Sequence, residues 1–263
     1  MILEPTTARM FWKALMDNAT SLITDAHLLL EHGSFGRARS LAVLAQEELG
    51  KALWLYETFN QAWSDGDDTP LTVDRLTADG RKHAVKYMEA FVFGQELSAF
   101  WGDYETLYEG APPLDGSRED WTAWFKAQRT EAAAAGKQAN EDKMRGFYVD
   151  LQPKDDLLLT PGDIGSGTIA DDLQTAAQVV EMLLIKDHSR MKLDARTPYD
   201  STHAQQHRLL SISHPEDWHS ASEEFRRGDY MQEDQGNHDA GLPDRSRRSE
   251  GSPIKEIEEE RKR

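Results

Sequence analysis

Between Leu41 and Tyr56, eleven of sixteen residues are apolar: Leu41, Ala42, Val43, Leu44, Ala45, Leu49, Ala52, Leu53, Trp54, Leu55 and Tyr56. At about 100° per residue they lie nearly all round the helix they would form, and a helix without a polar side has to be covered on every side. This segment therefore predicts a central helix with other helices packed around it, a fold class with no room for an open polar face.

The exceptions on that helix are Gln46, Glu47, Glu48, Gly50 and Lys51. Charges on a buried helix must be paired, hydrogen-bonded or neutralised. Glu47 and Lys51 stand four apart and can pair within the helix. Glu48 lies on the edge of the stripe Leu41, Ala45, Leu49, Ala52, Tyr56 and Phe59, so it is expected to need a partner from elsewhere. The next helical segment offers Arg81, Lys82, His83 and Lys86. A Glu/Lys/His group across two helices can move a proton, because a neighbouring carboxylate tunes histidine near neutral pH. The same group can equally be a structural ion-pair network.

Helical periodicity continues through most of the chain, with no alternating strand pattern to compete. A first helix is expected from about Thr6 to Glu31, ending at His32-Gly33, and a second from about Phe35 to Trp63. A third should run from about Val73 to Tyr108, interrupted near Asp79-Gly80. Ser117, with Asp120 three residues on, opens a fourth from about Arg118 to Met144. An extended piece, Phe147 to Leu151, and a Pro/Gly/Asp-rich loop lead to a fifth helix after Thr168, with Asp171 and Asp172 in its first turn and Arg190 near its end.

Composition changes at Asp194. Of the 69 residues from Ala195 to Arg263 only 15 are apolar, too few to offset the entropy of ordering them. The expected organisation is thus a helical domain over 1–194 and a polar tail over 195–263, disordered or dependent on a partner. The 30 Lys+Arg against 47 Asp+Glu give a net charge of −17. A broad basic surface for nucleic acid is excluded, and any RNA contact must be local. With no cysteine, disulfide scaffolds, thiolate metal sites and a cysteine nucleophile are excluded as well. Neither a secretory signal nor an apolar run of membrane-spanning length is present, so the expectation is a cytoplasmic protein with no membrane partner.

Several blocks taken together resemble a known family. They are Leu28-Leu29-Leu30; Arg39-Ser40-Leu41-Ala42 leading to Gln46-Glu47-Glu48-Leu49-Gly50-Lys51; His83-Ala84-Val85-Lys86; and Lys143-Met144-Arg145-Gly146-Phe147-Tyr148-Val149-Asp150. In order and spacing they are similar to the AbiV-type HEPN family of abortive-infection proteins, over roughly residues 6 to 193. The resemblance implies an all-α, HEPN-like bundle of about five long helices, often a homodimer, acting in bacterial defence against phage. Many HEPN proteins are metal-independent ribonucleases that use Arg, a spacer of four to six residues, and His. Here the pairs at that spacing are Arg196 with His203 and Arg208 with His214, both in the expected tail, where no packed interface would hold them.

If the polar cluster is catalytic, the resemblance assigns it Glu47, Glu48, Lys51, His83 and Lys86. His83 would be the acid/base, Lys51 and Lys86 would stabilise phosphate charge, and a glutamate would orient them. Arg81 and Lys82 would then contact RNA. Tyr148 and Asp150 form a second tier beside a helix end, unless Phe147 and Val149 merely anchor that loop while Tyr148 and Asp150 satisfy its backbone groups. A di-metal carboxylate site needs Glu-x-x-His pairs, and no glutamate here has a histidine three residues later, so neither metal nor cofactor is expected. Phe91, Phe93, Phe100, Trp101, Tyr104, Tyr108, Trp121, Trp124 and Phe125 read as core or oligomer interface. The function expected is antiphage abortive infection by binding a phage or host component. The alternatives are a HEPN-type ribonuclease and the toxin half of a toxin–antitoxin pair.

Overall fold

The computed structural model describes residues 1–100, 110–113, 115–152, 156–193 and 203–216. Helix α1 (Pro5–Glu31) starts on a proline, whose missing N–H is no loss in a first turn. It stops at His32 and Gly33, the glycine taking a left-handed φ of 72°. Helix α2 (Phe35–Asp65) follows directly. Strands β1 (Ile2–Leu3) and β2 (Leu71–Thr72) pair antiparallel. They tie the N-terminus to the loop after α2.

The long third helix expected over 73–108 is two elements. A short α3 (Asp74–Ala78) is followed by a turn in which the Lys82 N–H donates to the Asp79 carbonyl at 2.8 Å. Helix α4 (His83–Phe100) then begins on His83 itself. Residues 101–109, the rest of the expected helix, lie outside the described residues. Helix α5 (Arg118–Phe147) opens on the capping box read from the sequence, Ser117 accepting from the Asp120 N–H while Asp120 accepts from the Ser117 N–H. A hairpin of β3 (Asp150–Gln152) and β4 (Leu157–Leu159), a 3₁₀ turn at Pro161–Asp163 and helix α6 (Ile169–Leu193) complete the expected set. The all-α expectation of about five long helices therefore describes the observed fold, with two very short sheets added.

Helix α2 packs against α1, α4, α5 and α6, as a helix apolar on all sides must. The main core gathers Trp12, Met16 and Ile23 of α1, Leu49, Trp54, Leu55 and Phe59 of α2, and Leu173, Val180 and Leu183 of α6. One ion cluster sits within this packing. Asp187 on α6 is fully buried and accepts both Arg9 amino groups of α1, at 2.8 and 2.7 Å, together with Arg190 at 2.9 Å. Arg9 also lies over the rings of Trp12 and Trp63. Burial, and next the charge of Asp187, push the nearby Tyr56 hydroxyl up to about 12.

The boundary drawn at 194 falls short of what the core uses. Helix α7 (His203–Ser213) packs on α1 and α6, with Leu209 and Ile212 buried in the main cluster. Gln174 and Gln178 of α6 donate to the Ser213 carbonyl at 3.3 and 3.1 Å, and His214 Nε2 lies 2.7 Å from Glu181. The unit these elements form runs from Met1 to Pro215. The polar character of the tail as a whole concealed two well-placed apolar residues, Leu209 and Ile212. The expectation of a disordered polar segment falls, for residues 195–202 and 217–263, outside the described residues.

Candidate functional site

Three helices approach unusually closely where α2 carries its charges. A Cβ on Gly50 of α2 would overlap the Lys86 carbonyl of α4, one on Gly136 of α5 would overlap the Ala84 carbonyl of α4, and one on Gly146 of α5 would overlap the Gly36 carbonyl of α2. Ser40 Oγ of α2 adds a hydrogen bond to the Lys143 carbonyl at 2.8 Å. With the backbones this near, side chains from all three helices reach one point.

That point is the Glu47 carboxylate, only 2% exposed. Lys143 Nζ donates to Oε1 at 2.5 Å, His83 Nδ1 donates to Oε2 at 2.6 Å, and Lys86 Nζ stands 3.1 Å from Oε2. Both lysine side chains are 7% exposed, whereas His83 is 53% exposed. Burial alone would raise the Glu47 carboxyl. The hydrogen bonds from Lys143 and His83, with the charges of Lys143 and Lys86, outweigh it and hold the group below the usual glutamate range.

The two adjacent glutamates thus exchange their expected roles. Glu48 does not reach across to another helix: it pairs with Lys51 at 2.7 Å, three residues along its own helix and partly exposed. Glu47 does not pair with Lys51, and Lys51 and Glu48 stand apart from the cluster. Arg81 and Lys82 are exposed just before α4, and Lys82 Nζ donates to Asp79 at 2.8 Å.

Lys143 is the member that sequence reasoning passed over. Its signal lies in the inward stripe of α5, Ala132, Gly136, Ala139, Lys143 and Gly146, all buried. Four small residues at helical spacing mark a face pressed against other backbones, and a lysine on such a face must find a carboxylate.

The Phe147–Asp150 block is a surface feature. Phe147 and Val149 do not anchor the loop. With Met144, Tyr148, Leu151, Leu157 and Leu158 they form a run of large apolar residues between 40% and 64% exposed, along the end of α5 and the β3–β4 hairpin. Asp150 is exposed, and its carboxylate accepts from the Leu151 N–H at 2.9 Å. Trp121, Trp124 and Phe125 cluster on the first turns of α5 with ring centroids 5.0 to 6.0 Å apart, and Phe125 is exposed. Trp101, Tyr104 and Tyr108 lie outside the described residues. Of the Arg/His pairs, Arg196 is likewise outside, while Arg208 is exposed on α7 and His214 packs against Glu181. Among the described residues no group of three or more His, Asp or Glu could hold a metal ion. No described helix is long and apolar enough to cross a membrane.

A family model described as AbiV matches residues 7–181. That span holds Glu47, His83, Lys86 and Lys143 and stops short of α7. No curated protein and no solved structure matches the chain.

Proposed function

Since the chain belongs to the AbiV family of HEPN proteins, we propose that it is an antiphage abortive-infection protein that acts by binding a phage or host component. The observation that supports binding over catalysis is a contrast between two places. At Glu47 both carboxylate oxygens are already taken and the two ammonium groups are buried against them, so neither Lys86 nor Lys143 is presented to a substrate phosphate. On the ridge from Met144 to Leu158, large apolar side chains face solvent. Exposed large apolar side chains gathered on one hairpin and the adjoining helix end are typical of a site that another molecule covers.

A ribonuclease reading has one observation in its favour. A buried carboxylate holds His83 through Nδ1 while about half of its side chain stays exposed, and the exposed Arg81 and Lys82 directly precede it in the chain, an arrangement in which a carboxylate can position an acid/base imidazole. One experiment separates the two. Cells carrying the wild-type chain, Leu158→Asp or His83→Ala, at matched protein levels, are challenged with phage, and the purified proteins are incubated with labelled total RNA with and without EDTA. Binding through the ridge requires that Leu158→Asp lose protection and His83→Ala keep it, with intact RNA throughout. Loss of protection in His83→Ala together with EDTA-resistant RNA cleavage would replace this reading by the ribonuclease.

A further inference from the structure

The β3–β4 hairpin is a lone two-stranded sheet: among the described residues no third strand joins either edge. Such a pair is marginal by itself in water, and natural proteins blunt exposed edges. Here only one edge is blunted. The Leu151 N–H turns away from the hairpin to the carboxylate of Asp150, which caps the β3 edge. Leu151 stands opposite Leu158 in the register, so this is the pair whose main-chain groups point outward. The Leu158 N–H and C=O are therefore directed along the free edge of β4. Further along, Asp163 takes the Thr160 N–H at 2.7 Å and ends that edge. Leucines flank it on both faces, since Leu157 and Leu158 alternate in direction and both are more than half exposed.

Charge selects the occupant. Between Met144 and Asp163 the described residues carry exposed Asp150, Asp156 and Asp163 against Arg145 alone in the opposite sense. A second copy would bring carboxylates to carboxylates, on a chain whose net charge is −17, and like charges across an interface oppose it. We propose that the β4 edge at Leu157–Leu159 accepts an extended apolar segment of another protein, flanked by basic residues, as a third strand. The proposal rests on the binding reading above and specifies the kind of partner that the ridge takes.

The test uses a labelled synthetic peptide, Lys-Lys-Val-Thr-Val-Thr-Val-Lys-Lys, with the full-length chain, followed by fluorescence anisotropy and by amide hydrogen exchange. Two control peptides carry proline for the central valine, which removes a ladder donor, or glutamate for every lysine. The expected result is that both controls and Leu158→Asp bind about tenfold or more weakly, that Leu158→Val binds like the wild type, and that exchange slows at Leu158. Leu158 is exposed, so unchanged circular dichroism of Leu158→Asp keeps a loss of binding interpretable. Equal binding of the proline peptide would reduce the interaction to charge alone and overturn strand addition, as would no binding at all. A wild-type dimer that Leu158→Asp splits in light scattering would make a second copy the occupant, and would overturn the proposal too. If Leu158→Asp loses phage protection while the peptides show no discrimination, binding through the ridge stands and the strand geometry falls. If the peptides discriminate as expected but Leu158→Asp still protects, strand addition stands and the ridge is not how the chain stops phage.

Discussion

Replacing Glu47 by alanine removes the acceptor of three donors from a place that water barely reaches. Lys86 and Lys143, each 7% exposed, are left facing one another's charge with no carboxylate between them. Breaking a buried ion pair from one side destabilises by about 3–5 kcal/mol, or roughly two to four orders of magnitude in the folding equilibrium. For a helical body of this size that amounts to a melting point lower by about 10 °C. Glu48→Ala removes only a partly exposed pair with Lys51 and should change stability by about 0–1 kcal/mol. Urea unfolding followed by circular dichroism measures both. A third variant, Glu47→Leu with Lys86→Met and Lys143→Met, replaces the whole group by apolar side chains and should regain most of the loss, because it strands no charge. The reasoning fails if Glu47→Ala melts within a degree or two of the wild type, or if Glu48→Ala falls as far.

Acid should act through the same carboxyl. Its folded value lies below the ordinary 4.5, so its contribution is full above about that pH and disappears as pH falls through the folded value. Wild-type stability measured downward from pH 5 should drop more steeply than that of Glu47→Gln, and parallel curves would contradict this. Gly50→Ala places a methyl group on the Lys86 carbonyl. It should force α2 and α4 apart at a loss of about 1–3 kcal/mol or more, whereas Gly165→Ala, with open space around it, should be nearly neutral in the same melting assay. Leu209→Ala should lower stability by about 2–5 kcal/mol, since Leu209 is buried in the main cluster; an unchanged midpoint would detach α7 from the fold.

Helix type and caps were legible in the chain because they depend on local chemistry. Ser117 with Asp120, Gly33 after α1, and the break at Asp79-Gly80 all stand where residue preferences place them. Which helix faces which was not. Around α2 apolar residues point everywhere, so a helical wheel cannot tell whether Glu47 or Glu48, a quarter-turn apart, meets a neighbour. The choice is made by Gly50 and Gly146, through distances between backbones that no single helix encodes. Lys143 escaped because its helix is polar overall and its inward face is made of small residues rather than large apolar ones. Helix α7 escaped for a related reason: its few apolar residues count for little in an average taken over 69 positions.

The Glu47 junction also fixes a timetable. Lys143 follows Glu47 by 96 residues, and a ribosome adding about 5–20 residues per second needs some 5–20 s to make that stretch. In the later part of that interval His83 and Lys86 are already made, while the carboxylate oxygen that Lys143 takes still has no partner and the apolar sides of α2 are uncovered by α5 and α6. A nascent chain halted between the two residues cannot close the junction. Every functional copy is thus a product of uninterrupted translation well past residue 143, and a cell whose protein synthesis is arrested must rely on the copies it has already finished.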